Sequence, residues 1–183
     1  LELDELSYAV NNAYFKDVHL TSKSSEAFNS SLSMSLGLVE DLTNAFRPFL
    51  RNSARRMGDA GIVNIGSMYG FVAPDTSVYK NHESRNRAWY GASKAALAQV
   101  SKYHAADLAK DGIRVNTLSP GPFPNLNLDH NGRALIKTLE SKVPLERMGY
   151  ADEFAKACLF LASPMSSYIT GVNLPLDGGW TAW

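Results

Sequence analysis

The feature that most constrains this chain is an alternation of short apolar, strand-like runs with longer helical patterns. The first run, "SYAV" (7–10), ends in Asn11-Asn12, a loop signal. Residues 28–50 then read as a helix, with Phe28, Leu32, Leu36, Val39, Leu42, Phe46 and Leu50 tracing one face. "IVNIG" (62–66) is a Gly-bounded strand. Residues 91–110 form a second helix with an expected core stripe of Ala96, Val100, Tyr103 and Ala106, and Asp111-Gly112 ends it through a left-handed glycine. "IRVNTLSPG" (113–121) is a strand running into a Pro-Gly break, 152–162 a third helix, and "GVNLPLDGG" (171–179) a last short strand. Strand–helix–strand alternation implies an α/β fold, a parallel sheet covered by helices. A length of 183 residues without repeat or linker implies one domain over 1–183. Residues 67–89 make a connection rich in Pro, Asp, Asn and Ser, of a length that is uncommon unless functional.

Lys+Arg and Asp+Glu both number 18, which argues against nucleic acid or an anionic membrane as the main partner. Arg51, Arg55 and Arg56 cluster where a helix ends, and cations favour that end of the helix dipole. The single cysteine, Cys158, cannot form an internal disulfide, and its apolar neighbours suggest a core position. No apolar run approaches membrane-spanning length, and the acidic opening "LELDELS" is unlike a signal peptide, so a cytoplasmic setting is expected. His19, His82, His104 and His130 lack metal-ligand spacing, so no metal site is expected.

The chemistry concentrates in "WYGASKAAL" (89–97). Tyr90 and Lys94 stand one turn apart on a helix and so point the same way. A free tyrosine titrates near ~10 and is a poor acid or base at neutral pH, but a neighbouring cation stabilises its phenolate. In a parallel α/β sheet, ligands sit beyond the C-terminal strand ends. Asn11-Asn12, Gly66-Ser67 and Pro120-Gly121 lie at such ends, and the Tyr90 helix opens on the same edge. A serine hydroxyl beside a tyrosine–lysine pair suits interconversion of a carbonyl and an alcohol.

Together "NNA" (11–13), "IVNIGS" (62–67), "YGASK" (90–94), "IRVNTLSPG" (113–121) and "ITGVNLPLDGG" (169–179) resemble the short-chain dehydrogenase/reductase family in its short, single-domain form. The resemblance runs over nearly the whole chain and implies a Rossmann-like, doubly wound parallel sheet. It implies Tyr90 as general acid/base, Lys94 lowering its pKa and holding the nicotinamide ribose, and Ser67 orienting the substrate oxygen. Asn11, Asn12 and Ala13 would lie along an NAD or NADP cofactor, and Pro120, Gly121, Pro122 and Phe123 at its nicotinamide end. Met68 and Tyr69, which follow the serine, are candidate substrate contacts. Asn116 and Asp177 look structural. Family members commonly pair through the two helices placed here at 28–50 and 91–110, so a homodimer or homotetramer acting on a small-molecule substrate is implied.

Departures from the family pattern are equally specific. The N-terminal strand, Gly-rich turn and helix are absent, and the chain opens at what resembles the fourth strand, so it reads as the C-terminal portion of such a sheet, strands 4–7 with flanking helices. That turn binds the diphosphate, so the chain is expected to be a truncated form of a longer enzyme, unable to bind cofactor alone, with a genuine short product that cannot hold the cofactor as the alternative. Ser35 stands where the family often has a proton-relay asparagine, and Tyr14 where its NNAG motif has glycine. Ser67 and Tyr90 are 23 positions apart, longer than the short form usually shows, and the extra loop either lines the pocket, favouring a sugar-like or polyol substrate, or is a surface excursion. Two rivals stand beside the dehydrogenase. One is a hydrolase, with Ser93 of "GASKA" as nucleophile and His130 as base. The other is a non-catalytic, dehydrogenase-like subunit.

Overall fold

The computed structural model describes residues 4–12, 24–79, 85–123 and 130–182. Four strands, β1 (Tyr8–Asn11), β2 (Ala60–Ile65), β3 (Ile113–Pro120) and β4 (Asn173–Leu176), form one parallel sheet in that order. Asn11 lies opposite Asn64, and Thr117 opposite both Asn64 and Asn173. Helix α1 (Ser24–Leu32) runs through a π-turn at Ser33–Gly37 into α2 (Leu38–Met57); α3 (Ala88–Leu108), α4 (His130–Glu140) and α5 (Ala151–Leu161) follow.

All six residues of β2 are buried, as expected of a central strand covered on both faces. Alternate residues of the strands serve opposite layers. Ala60, Ile62, Ile113 and Val115 pack with Leu50 and Ala54 of α2 and Ala105 and Leu108 of α3. Val63, Ile65 and Leu118 pack instead with Leu161, Phe154, Ala157 and Cys158 of α5. The sheet is therefore wound on both sides, and Cys158 sits partly buried in the second layer, where burial raises its thiol pKa. Among the described residues no helix is long and apolar enough to cross a membrane.

The first three strands lie where the sequence puts them, within two residues, and the last is shorter than its expected 171–179, but α3 turns differently from its expected stripe. Tyr103 is 69% exposed and Ala106 is exposed, while Ser93, Lys94, Leu97, Ser101, His104, Ala105 and Leu108 face inward. Partners inside the fold make this possible. The Ser101 hydroxyl donates to Leu97 O and accepts from Asn64 Nδ2, both at 2.8 Å, and His104 Nε2 lies 2.9 Å from Glu40 Oε2. Two of the arginines clustered near the end of α2 form ion pairs: Arg51 meets Asp111 at 2.9 Å and Arg56 meets Glu5 at 2.8 Å. Arg47 also binds Asp107 and Asp111, stitching α2 to the end of α3. Gly112 closes that end with φ of 76°, as the sequence implies. Helix α4 lies in a stretch where no helix was expected.

At the N-terminal end of the sheet, away from the Tyr90 edge, lies a buried ion pair. Arg114 Nε and Nη2 donate to Asp59 at 2.8 and 3.0 Å, Nη1 reaches Leu161 O and Ser166 Oγ, and Nη2 also reaches Ser163 O. Tyr8 donates to the same carboxylate at 2.7 Å, and burial together with that bond pushes its phenol up to about 12. Burial works to raise the Asp59 carboxyl, but the bonds from Arg114 and Tyr8 outweigh it and hold the group below its ordinary value. Arg114→Ala leaves Asp59 buried without its cation, so denaturant unfolding should show a loss of roughly 3–5 kcal/mol. An unchanged midpoint would show that water replaces the guanidinium at no cost.

Candidate active site

β2 ends at Ile65, and the chain then passes through Gly66 and Ser67 into a 3-10 turn at Met68–Gly70. Ser67 is extended (φ −166°, ψ 151°) and caps that turn, its Oγ accepting from Tyr69 N–H at 3.2 Å. The turn lies against the first turn of α3. A Cβ on Gly91 would sit 2.7 Å from Tyr69 O, and one on Gly70 would sit 3.1 Å from main-chain atoms of Lys94 and Ala95. Glycine at these two places is what lets the two backbones touch.

That contact puts Ser67, Tyr90 and Lys94 on one edge of the sheet. Lys94 is only 5% exposed, and its Nζ donates to Ile65 O, the last carbonyl of β2, at 2.7 Å. Burial lowers the amine to about 8. Tyr90, half-buried, packs against a cluster of Met68, Tyr69, Val78, Val143 and Trp180. Tyr69 hydrogen-bonds Tyr79 through their hydroxyls. Tyr79, Val143 and Trp180 do not emerge from sequence reasoning, since only the fold carries them to Tyr90; two tyrosines in an overlong loop were the one available hint.

The remaining candidates divide. Asn11, at the end of β1, is buried and donates to Asn64 Oδ1 at 2.8 Å, so its side chain serves the sheet. Asn12 is exposed just beyond that strand end, and Ala13 and Tyr14 lie outside the described residues. Pro120 and Gly121 close β3, with Gly121 N–H bonded to Leu176 O. Pro122 is buried, and the Phe123 ring meets Phe154 edge-on at 5.9 Å. Ser35 is half-buried at the middle of the π-turn, which packs against α3. Met68 and Tyr69 are buried in the Tyr90 cluster. Asn116 bonds Ile169 O and Val172 N–H, and Asp177 accepts from Gly179 and Thr181, so both act as structural ties. Ser93 is buried within α3 and donates to Tyr90 O, which leaves no strand–turn–helix elbow for a hydrolase nucleophile. Among the described residues no group of three or more His, Cys, Asp or Glu could hold a metal ion.

The donor set suits the ribose end of a nicotinamide cofactor. Ile65 O takes one of the three N–H donors of an ammonium, and a phenol stands one turn earlier. Because Lys94 titrates near 8 when folded against 10.5 for a free lysine, the unfolded chain carries an extra proton between those values. Stability therefore rises with pH across that window. Lys94→Met removes the buried amine, so the cofactor-free variant should unfold at higher urea than the parent at pH 7. The gap should close by about 3 kcal/mol as pH approaches 10.5. A gap constant from pH 7 to 10.5 would contradict a depressed lysine.

A family model described as enoyl-(acyl carrier protein) reductase matches residues 2–181. The galactitol 2-dehydrogenase (L-tagatose-forming) of Cereibacter sphaeroides is 38% identical over 147 residues, covering 79% of this chain and 54% of that protein. The rhamnolipid-biosynthesis 3-oxoacyl-acyl-carrier-protein reductase of Pseudomonas aeruginosa is 35% identical over 134 residues, covering 72% of this chain and 49% of the relative. The chain thus spans about half the length of the curated relatives it matches. The RhlG/NADP active-site complex from Pseudomonas aeruginosa superposes with a TM-score of 0.79 at 28% identity, over 97% of this chain and 66% of that one. A gluconate 5-dehydrogenase from Burkholderia cenocepacia, in complex with NADP and tartrate, gives 0.76 at 28% identity, over 98% and 66%. With the Ser67, Tyr90 and Lys94 edge in place and the match running nearly end to end, the chain belongs to the short-chain dehydrogenase/reductase family.

Proposed function

We propose that the protein is an NAD- or NADP-dependent oxidoreductase that interconverts a secondary alcohol and a ketone on a polyol or sugar-like substrate. The observation that carries this reading is Lys94, buried and tied to Ile65 O one turn after Tyr90, with the Ser67 turn docked against the same helix. Lys94 and Tyr90 would hold the nicotinamide ribose, Asn12 would lie along the cofactor, and the Pro120–Phe123 segment would meet its nicotinamide end. A nicotinamide held there would supply the hydride acceptor for the carbinol carbon in oxidation, or the hydride donor for the carbonyl carbon in reduction.

The chain's own residues manage the proton and the oxygen. In oxidation the alcohol O–H proton passes to the Tyr90 phenolate; in reduction the Tyr90 phenol returns it to the carbonyl oxygen. An ammonium in a poorly hydrated setting favours the phenolate more strongly than one in water would. One lone pair of the Ser67 oxygen is taken by Tyr69 N–H, so the hydroxyl meets the substrate oxygen as a donor. Ser35, at a π-turn against α3, supplies a hydroxyl for a water behind Lys94. The polyol class is supported by the names of two relatives, a galactitol and a gluconate dehydrogenase, and by the loop, whose described part packs beside Tyr90. The protein pairs with itself through α2 and α3, where Tyr103 is left outward.

Tyr90→Phe should lower kcat by ~10²–10⁴-fold in the protein expressed from its complete gene. NADH or NADPH fluorescence should still report binding. Full turnover by the variant would overturn the role of Tyr90. A native protein that shifts the fluorescence of neither nucleotide would favour a non-catalytic subunit. Turnover of 3-oxoacyl thioesters in place of polyols would keep the chemistry and replace the substrate class.

A further inference from the structure

The mechanism leaves one polar contact beside Tyr90 unused. Tyr69, 7% exposed, and Tyr79, half-buried, join their hydroxyls inside the cluster that Tyr90 packs on. The loop that carries Tyr79 is held in place. Asp75 Oδ1 accepts from the Ser77 N–H at 2.8 Å and its hydroxyl at 2.7 Å, Oδ2 lies 3.0 Å from Lys142 Nζ, and Val78 N–H bonds Asp75 O. Val72 and Val78 meet Leu135, Leu139 and Val143 in the same apolar cluster. The described part of the long excursion is thus a fixed wall next to Tyr90, not a free surface loop.

Two phenols carry two hydroxyl hydrogens, and their mutual bond uses one of them. The second hydrogen and the remaining lone pairs can serve a third partner. Burial, with Tyr79, Tyr90 and Asp75 adding to it, pushes the Tyr69 phenol far above the ordinary tyrosine range, so it stays neutral where its neighbour is meant to ionise. A neutral donor–acceptor pair in a partly dry wall suits a hydroxyl better than a carboxylate or a cation.

We infer that the Tyr69–Tyr79 hydroxyl pair is a specificity element that hydrogen-bonds a substrate hydroxyl neighbouring the reacting carbon. It thereby selects polyhydroxylated over monofunctional secondary alcohols. The inference rests on the dehydrogenase reading above and goes beyond it by naming the residues that read the substrate. A substrate without that hydroxyl leaves the pair short of a partner in a partly desolvated site, which is the kind of mismatch enzymes discriminate well.

The test measures kcat/KM for galactitol and for 2-hexanol in the parent protein, Tyr79→Phe and Tyr69→Phe. Both variants keep the ring that packs and remove only the hydroxyl. The ratio of galactitol to 2-hexanol efficiency should fall by about 10–100-fold in each, chiefly through a higher KM for galactitol. Loss of packing alone would depress both substrates together and leave the ratio where it was. A ratio within about 2-fold of the parent in both active variants would overturn the inference and spare the dehydrogenase reading. A parent protein that neither binds NADH or NADPH nor oxidises either alcohol would overturn both.

Discussion

A lysine held out of water organises this edge of the molecule. The Lys94 ammonium reaches the last carbonyl of β2, so the second turn of α3 is fixed to the strand end that delivers Ser67. Desolvation makes the charged amine uncomfortable, and its depressed pKa records how much. A surface lysine would give no such anchor, because its charge would be screened and its side chain free to wander. The arrangement trades stability in the cofactor-free protein for a cation placed one turn from a phenol.

Side-chain hydrogen bonds also tie the rest of the interior together. Asn11, Asn64, Ser101 and Leu97 O form a hydrogen-bonded chain from β1 through β2 into α3. Asn116 ties β3 to the segment entering β4, and Arg114 gathers Asp59, Ser166 and two backbone carbonyls at the far end. Most of these ties join elements distant in sequence, and those of Asn11, Asn64 and Arg114 to Asp59 are buried, where an unmet partner would be expensive. The strand ends are therefore held in register by side chains as well as by the ladder.

Much of this was legible in the sequence because the signals are local. Strand ends marked by Gly or Pro-Gly, the i, i+4 relation of Tyr90 and Lys94, and the glycine closing α3 depend on neighbours within a few positions. The orientation of α3 was not legible. Counting apolar residues favoured Ala96, Val100, Tyr103 and Ala106, whereas Lys94 and Ser101 turn inward to partners on β2 and Ser93 bonds Tyr90 O in its own helix. Helix α4 was missed for a similar reason: Leu135 and Leu139 gain their apolar surroundings from Met68, Val78 and Trp180, remote in the chain. The Tyr69–Tyr79 contact needs a loop to fold back, and no spacing rule reports that.

The most direct test is a crystal structure of the protein with NAD or NADP and a bound alcohol. The Ser67 and Tyr90 oxygens should both lie within about 3 Å of one substrate oxygen, with the Lys94 amine on the Tyr90 side of the ribose. Oxygens of residues 67 and 90 that contact different ligand atoms, or a Lys94 turned out to solvent, would contradict a single convergent site.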